Sequence, residues 1–212
     1  MPSSQTDWDA KYRSGSDAPA EPASIVRELL PLLPNGPALD LACGAGRHAL
    51  LLASRGQHVT AVDWSSAGLE ILEARAHSAK IPVHRIPSPV HRIPSIDPRK
   101  IAGHGGIDVL QADLERISLP EQSFDVVLCI QYLRRSLFPH ISNALRPGGA
   151  LLFETFTRAQ LEFAGGPRNP EHLLETGELH SAFPRLRVLF YRELRAGQGI
   201  ASLLAQKTQK DA

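Results

Sequence analysis

The sequence predicts an α/β fold with a doubly wound, mostly parallel sheet, helices on both of its faces and an antiparallel hairpin at the C-terminal end. Short apolar segments alternate with helical segments up to residue 156, which is typical of parallel strands joined by crossover helices. A glycine-rich turn follows the first apolar segment, as in sheets that bind a ligand at the carboxyl ends of their strands. Two apolar-rich segments flank the turn AGQG at residues 196–199, which predicts the hairpin.

The elements are predicted in the order that such a sheet requires. A first helix begins near Pro22, because proline suits the first turn of a helix and the apolar residues after it recur at helical spacing. Two strand–turn–helix units follow, and Ser65 is a suitable N-cap for the second helix. The remaining elements are a third strand, a fourth strand, a helix that ends at Pro147, a fifth strand and the hairpin. From the first unit onward the segments are 36–56, 58–80, 107–115, 123–133, 134–149, 150–156 and 185–207.

Composition indicates one domain preceded by a flexible arm. The chain has 212 residues, which suffices for a single core. Residues 1–20 are polar and rich in Ser, Ala and Pro, so they are predicted to form a flexible N-terminal arm. Residues 21–212 are predicted to form the domain, with a Pro/His-rich insertion at about 81–105.

Charge and hydropathy limit the classes of protein to which the chain can belong. The formal net charge is +1, so no global attraction to nucleic acid or to an anionic membrane is expected. No apolar run approaches the roughly 18 residues of a membrane span, and the N-terminus lacks the apolar core of a signal peptide. Cys43 and Cys129 lie in apolar segments and predict free thiols in a reducing compartment. A cytoplasmic protein is therefore predicted.

Residues 82–95 are a tandem repeat, the unit PVHRIPS written twice. Its prolines exclude a regular helix and favour extended backbone. The repeat joins a helix to the amino end of the next predicted strand, so we expect it opposite the glycine turn. Three roles are open: a metal site using His84 and His91 with His77 and His104 nearby, a docking peptide for a partner, and a tolerated surface duplication. The seven-residue spacing of the histidines suits no usual ligand set, and a surface duplication without bound metal is the prediction.

The glycine turn is accompanied by three carboxylates that follow the same pattern. Gly44 and Gly46 open the turn, and Asp40 precedes them. Asp63 and Asp113 come at the ends of the next two predicted strands. A carboxylate at the position of Asp63 can accept both hydroxyls of a ribose. The turn also satisfies the looser dinucleotide fingerprint G-x-G-x-x-A, so a nicotinamide cofactor and a purely structural turn are alternatives.

With these residues the chain resembles the class I S-adenosylmethionine-dependent methyltransferases, whose fold is Rossmann-like. The resemblance covers residues 36–156 without the insertion and is carried by LDLACGAGR, where Ala42 replaces the usual first glycine, and by ALRPGGALLFETF. It implies S-adenosylmethionine as the cofactor. The predicted cofactor-binding residues are Asp40, Ala42, Gly44, Gly46, Asp63, Trp64, Asp113, Leu114 and Gln131. By this likeness the two glycines approach the methionine part, Asp63 takes the ribose hydroxyls, and Asp113, Leu114 and Trp64 face the adenine.

A narrower resemblance is to the small tellurite-resistance-type branch of these enzymes. It is carried by WDAKY (residues 8–12), by LACGAGRHALLLASRGQHVTAVDWS, and by NPEHLLETGEL (residues 169–179). In that branch the N-terminal segment is thought to fold over the cofactor.

Residues for the methyl acceptor are expected after the fourth and fifth strands and in the loop before the hairpin. Tyr132 is predicted as catalytic, positioning or deprotonating the acceptor, and Arg168 as catalytic because a guanidinium suits oxyanions. The predicted substrate-binding residues are Arg134, Glu154 and His172. Gln131, Arg135 and Thr155 lie in the same segments. His48, inside the helix after the glycine turn, is expected to pack rather than to react.

The sequence therefore predicts in-line methyl transfer to a small molecule, namely an anionic, thiol or chalcogen-oxyanion acceptor, by a monomer or homodimer. The alternatives are a protein or RNA methyltransferase, an NAD-dependent dehydrogenase and a cofactor-binding protein without catalysis. A nucleic-acid acceptor is disfavoured because the charge is near neutral and no Asp/Asn-Pro-Pro-aromatic motif follows the fourth strand. A dehydrogenase is disfavoured because position 136, four residues after Tyr132, is Ser rather than Lys.

Overall fold

A mixed sheet of eight strands forms the centre of the protein, in the order β3-β4-β2-β1-β5-β6-β8-β7. The structure, a computed structural model, describes residues 4–16, 18–87, 92–94 and 105–208. The strands are β1 (Ala38–Leu41), β2 (His58–Asp63), β3 (Val83–Ile86), β4 (Gly106–Gln111), β5 (Phe124–Ile130), β6 (Leu145–Phe156), β7 (Leu186–Arg195) and β8 (Gly199–Lys207). The helices are α1 (Gln5–Arg13), α2 (Ser24–Leu29), α3 (Arg47–Ser54), α4 (Ser66–Ser78), α5 (Phe138–Ala144) and α6 (Glu178–Ser181).

The pairing of the strands confirms the predicted fold class. Strands β1 to β6 pair in parallel, and β8 pairs antiparallel with both β6 and β7. All four residues of β1 are buried, as expected of a parallel strand covered on both faces. Strand β6 begins at Leu145, earlier than the predicted Ala150, because Leu145 already pairs with Phe124 before an irregularity in the register.

Helices cover both faces of the sheet, as predicted. On one face, apolar side chains of α2, α3 and α4 pack against β1, β2, β4 and β5. On the other face, α5 and α6 pack in a separate apolar cluster that includes Phe124 and Phe153. No helix within the described ranges combines the length and the hydrophobicity that crossing a bilayer requires.

The N-terminal segment contains a helix where composition predicts a flexible arm. Ser4 and Asp7 form a capping box at the start of α1, which satisfies two otherwise unpaired backbone N–H groups. Asp9 and Tyr12 of this helix are buried against the domain. The expectation of a flexible arm at 1–20 is thus corrected for residues 5–13. The limits of the domain, 21–212, and of the insertion, about 81–105, stay predictions.

The first copy of the repeat forms the edge strand β3. It runs parallel to β4, and Ile86 at its end pairs with Leu110, so this copy ends at the carboxyl edge of the sheet. The expectation that the repeat lies opposite the glycine turn is therefore wrong. The two histidines predicted beside His84 in the insertion, His91 and His104, lie outside the described residues. His84 Nδ1 is 3.5 Å from Asp108 Oδ1, and His58 Nε2 is 2.8 Å from Asp108 Oδ2.

The second copy contributes to the core. Ile93 is fully buried in the cluster on the α5 face. Its backbone N–H donates to Ser118 O at 3.0 Å, and Arg92 forms an isolated parallel bridge with Ser118. A surface duplication would leave this isoleucine in solvent, so that expectation is corrected at Ile93.

Candidate functional site

A cavity of about 400 Å³ opens at the carboxyl ends of β1, β2, β4, β5 and β6. Its wall combines residues from α1, from the turns after these strands and from the loop at 169–172. The lining residues are Trp8, Tyr12, Pro19, Ala42, Cys43, Gly44, Ala45, Arg47, His48, Asp63, Trp64, Asp113, Leu114, Glu115, Ile130, Gln131, Tyr132, Leu133, Thr155, Asn169, Glu171 and His172.

The glycine turn is fixed by backbone conformation and by close packing. Ala42, Gly44 and Gly46 have φ values of 55°, 54° and 76°, a region that strongly favours glycine. A Cβ on Gly44 would lie 2.2 Å from the Tyr12 hydroxyl, and one on Gly46 would lie 2.3 Å from Cγ of Leu72. The two glycines therefore let α1 and α4 approach the turn, and Ala42 holds a left-handed conformation without being glycine.

Asp63 links the glycine turn to the start of α4. Its Oδ2 accepts from the Gly44 N–H and its Oδ1 from the Ser65 N–H, both at 2.8 Å. Burial raises the pKa of Asp63, and the hydrogen bonds from Ser65 and Gly44 oppose that rise. The Trp64 N–H also lowers this pKa by hydrogen bonding, and because the two carboxylate oxygens have about four acceptor sites, the group keeps acceptor capacity for a ligand hydroxyl.

Asp40 is a buried carboxyl group under the turn. It is 1% exposed, and its Oδ2 has no hydrogen-bond partner among the described residues. Burial raises the pKa of Asp40 to about 7, while the Ala49 N–H and Arg47 lower it. A buried acceptor without a partner is costly, and a cationic or N–H-bearing ligand group would satisfy it.

Trp64 and Leu114 form an apolar wall beside Asp113. Trp64 is 37% exposed although it is a large hydrophobic residue, and Leu114 is buried. Oδ1 of Asp113 accepts from the Glu115 N–H at 2.9 Å, and its Oδ2 is 3.5 Å from Nε of Arg116. A flat indole with an exposed face, next to a leucine, suits an aromatic ring of a ligand.

Helix α1 covers this part of the cavity. Trp8 and Tyr12 stack with their ring centroids 6.1 Å apart, and both line the cavity. Asp9 accepts from Ser65 Oγ at 2.5 Å and from the Ala67 N–H at 3.1 Å, which caps the N-terminus of α4. Burial opposes ionisation of Asp9, but the bonds from Ser65 and Ala67 outweigh it and lower its pKa.

Arg75 joins the segment after α1 to the glycine turn. Its Nη1 donates to Ala45 O and to Pro19 O, each at 3.1 Å, and its Nη2 donates to Ala18 O at 2.7 Å. One guanidinium therefore links two segments of the cavity wall, those that contain Pro19 and Ala45. No local pattern in the sequence indicates the roles of Asp9 and Arg75, because their partners lie 30 to 58 positions away along the chain.

The rest of the cavity wall is formed by residues after β5 and β6 and by the loop at 169–172. Gln131 has φ 61°, its Oε1 accepts from Arg47 Nη2 at 3.1 Å, and its N–H donates to Glu154 O at 2.6 Å. Burial raises the pKa of Tyr132 above its usual range. Its phenol therefore stays protonated near neutral pH and can donate a hydrogen bond, but it is a poor base.

Comparison with known proteins identifies the family. The model of a methyltransferase domain family matches residues 39–153, more than half of the chain. The chain belongs to this family. It is 30% identical over 141 residues to a ubiquinone biosynthesis O-methyltransferase of Idiomarina loihiensis, covering 64% of this chain and 49% of the relative. It is also 27% identical over 220 residues to an uncharacterized protein of Schizosaccharomyces pombe, covering 89% of this chain and 64% of that protein.

Solved structures show the same fold. TehB from Haemophilus influenzae superposes with a TM-score of 0.68 at 17% identity, covering 93% of this chain and 66% of TehB. The chain spans less than two thirds of the length of the curated relatives described above.

The methyltransferase domain uses S-adenosylmethionine as its cofactor, and the residues present fit that molecule. Asp63 would hold the ribose hydroxyls, and Trp64 with Leu114 would enclose the adenine. The unpartnered Oδ2 of buried Asp40 would interact with the ammonium group through water.

The structure does not bring all of the predicted site residues to the cavity of the methyltransferase domain. Of the predicted cofactor residues, Asp40 and Gly46 lie behind its wall, and the others line it. Tyr132 and His172 also line it, whereas Arg134, Glu154 and Arg168 do not. The proposed roles of Tyr132 and His172 in the reaction stay predictions.

The three displaced residues are each engaged elsewhere. Arg168 donates to Leu161 O at 3.0 Å and to Phe163 O at 2.5 Å, and Arg134 pairs with Glu115 at 2.8 Å. Glu154 is buried and accepts from Ser202 Oγ at 2.5 Å, because strand alternation turns its side chain away from the cavity. His48 accepts from the Ala23 N–H at 3.2 Å, and burial lowers its pKa to about 3, which agrees with a packing role.

Proposed function

We propose that the protein transfers a methyl group from S-adenosylmethionine to a small-molecule acceptor. The observation that carries the proposal is one cavity whose wall combines two groups of residues, and we call the parts that they line the cofactor end and the acceptor end. Asp63, Trp64 and Leu114 line the cofactor end, and Tyr132 and His172 line the other end. A volume of about 400 Å³ lies within the range of small-molecule sites.

The residues of this chain would act mainly by positioning. Bound S-adenosylmethionine supplies an electrophilic methyl group on a positively charged sulfur. Asp63 would hold the cofactor from the wall of the cavity and Asp40 from behind that wall through water, and holding both reactants in line accounts for much of the acceleration. Tyr132 would orient the acceptor by donating a hydrogen bond. Ile130 and Leu133, which line the same end, would exclude water.

The narrower assignments also belong to this proposal. Membership of the tellurite-resistance-type branch is supported by the quoted motifs and by the common fold with TehB. A chalcogen-oxyanion or other anionic acceptor loses support, because the arginine proposed to bind it, Arg168, does not line the cavity. A cytoplasmic location and a monomeric or homodimeric state are proposed from the sequence alone.

Calorimetric titration with S-adenosylmethionine, S-adenosylhomocysteine and NAD tests the cofactor part of the proposal. We expect micromolar binding of the first two and no heat from NAD. Binding of NAD alone would instead support the dehydrogenase alternative. Tight binding of S-adenosylmethionine without methyl transfer to any small molecule, but with transfer to protein or RNA, would contradict the small-molecule acceptor.

A further inference from the structure

The arginines around the acceptor end of the cavity are all bound to groups of the protein itself. Arg134 pairs with Glu115, and Arg168 donates to two backbone carbonyls of its own loop. Arg135 forms a two-bond pair with Glu178, at 2.5 and 2.8 Å. An anionic acceptor would have to break one of these interactions to gain one of these three cations.

Negative groups outnumber permanent cations in the wall. Four carboxyl groups line the cavity, those of Asp63, Asp113, Glu115 and Glu171. Glu115 is paired with Arg134, and Asp113 lies 3.5 Å from Nε of Arg116, so Asp63 and Glu171 are the two that have no lysine or arginine partner among the described residues. Arg47 is the one lysine or arginine that lines it within the described part of the chain, and its Nη2 donates to Gln131. Glu171 makes no ion pair among the described residues; its Oε2 accepts from Asn169 Nδ2 at 3.4 Å. Like charges in such a confined site disfavour an anion.

The turn that carries Glu171 and His172 is held rigidly. Nη1 of Arg135 donates to Glu171 O at 3.1 Å, and its Nη2 donates to Leu173 O at 2.9 Å. Asn169 caps the turn, since its Oδ1 accepts from the Glu171 N–H at 3.1 Å. His172 is thereby presented, half-buried, in the wall of the cavity.

We infer that the acceptor carries no negative charge and has a proton on its reacting oxygen, sulfur or nitrogen, and that His172 is the base that receives this proton. The inference rests on the proposed methyl transfer to a small molecule. Histidine is the side chain whose ordinary titration range suits a base near neutral pH. The other uncharged candidates in the wall are weaker bases: Tyr132 stays protonated, and His48 already accepts from a backbone N–H.

The reaction balances with these groups alone. A lone pair of the acceptor heteroatom forms the new bond to the methyl carbon. The bond between that carbon and the cofactor's sulfur breaks, and its electron pair stays on sulfur as S-adenosylhomocysteine. The acceptor's proton passes to a ring nitrogen of His172 and from there to solvent through the open cavity.

Matched acceptor pairs test the charge of the substrate. Formation of S-adenosylhomocysteine is measured with catechol against protocatechuate, thioglycerol against thioglycolate, and selenite. We expect the uncharged member of at least one pair to have a kcat/KM at least about tenfold higher than its anionic partner. Preference for the anions or selenite would overturn the inference, and so would absence of turnover of both uncharged probes at millimolar concentration.

The variant His172→Gln tests the base, with Glu171→Gln as the matched control in the same turn. We expect His172→Gln to lower kcat about a hundredfold and to remove the histidine limb of the kcat/KM profile against pH, with KM little changed. Glu171→Gln should keep that limb and improve turnover of the anionic probes. An unchanged pH profile in His172→Gln would exclude this base.

Cofactor titration separates the two possible failures. If wild-type protein binds neither S-adenosylmethionine nor S-adenosylhomocysteine, the proposed function itself fails. Suppose instead that wild-type protein binds both ligands and that His172→Gln binds S-adenosylhomocysteine as wild type does. A contradicting outcome in the acceptor or pH assays then overturns only the assignment of acceptor and base.

Discussion

At the scale of single residues, the cofactor end of the site depends on buried carboxylates with distinct tasks. Asp63 accepts from two backbone N–H groups and keeps acceptor capacity for a ligand. Asp40 has one oxygen without any partner among the described residues. The first group therefore holds the glycine turn to the start of α4 and keeps capacity for a ligand, whereas one oxygen of the second has no partner in the described part of the chain.

The variant Asp63→Asn should weaken binding of S-adenosylhomocysteine by about 1–3 kcal/mol, the range for losing hydrogen bonds to a charged group. An amide also places an N–H group against the N–H of Gly44 or Ser65. Calorimetry gives the affinity, and Asp125→Asn, at the opposite end of the sheet, is the control. If Asp63→Asn binds S-adenosylhomocysteine as tightly as the control variant and the wild-type protein do, Asp63 does not hold the ribose.

Asp40 should make cofactor binding depend on pH. Its pKa of about 7 means that the carboxyl is mostly protonated at about pH 5.5 and half ionised at about pH 7. The α-ammonium group of the cofactor, with a pKa of roughly 7.7–8.0, stays charged over this interval. The affinity for S-adenosylmethionine should therefore rise about tenfold over that interval, with release of a proton. Titrations in buffers of different ionisation enthalpy measure the release. Asp40→Asn should flatten the dependence, and a wild-type slope retained in this variant would contradict the assignment.

At the scale of elements, helix α1 and the segment after it act as a cover fastened at two points. Asp9 binds the N-terminus of α4, and Arg75 of α4 binds the carbonyls of Ala18 and Pro19. Both sets of hydrogen bonds involve α4, whose Leu72 also packs against the glycine turn. The order of this cover therefore depends on α4 rather than on the helix propensity of α1.

The variant Asp9→Ala should detach the cover. It removes the hydrogen bonds from Ser65 and Ala67, and losing a cap of this kind costs about 0.5–2 kcal/mol of stability. We expect faster proteolysis near residues 14–20, a change in the fluorescence of Trp8, and faster dissociation of S-adenosylhomocysteine. Glu70→Ala, an exposed acidic residue of α4, is the control. Unchanged proteolysis in Asp9→Ala would mean that other contacts hold the helix.

Local pattern was sufficient for some parts of the site and not for others. The positions of Gly44 and Asp63 in the cavity wall follow directly from strand ends, because parallel strands bring their carboxyl ends to one edge. The roles of Asp9 and Arg75 depend on contacts between distant segments, which no local spacing reveals. The prediction that Arg168 binds the acceptor depends on the chemistry of its side chain alone. In the structure its guanidinium donates to two backbone carbonyls of its own loop instead.

At the scale of the whole molecule, the tandem repeat adds to the sheet and to the core in different ways. The first copy extends the sheet beyond β4, where Val83–Ile86 becomes an edge strand. The second copy sends Ile93 into the apolar cluster of the α5 face. Identical sequences therefore have different environments: Ile86 lies in a strand and is partly buried against this cluster, whereas Ile93 is fully buried in it.

Removing one side chain from each copy tests this division. Ile93→Ala should lower the free energy of unfolding by about 2–5 kcal/mol, since it empties a fully buried position. Ile86→Ala changes the equivalent position of the first copy, which is only partly buried, and should cost clearly less. Urea denaturation of both variants gives the comparison, and cofactor titration checks that the site is intact. If Ile93→Ala is as stable as wild type, the second copy is a surface duplication after all; if the two variants lose equal stability, the copies contribute alike.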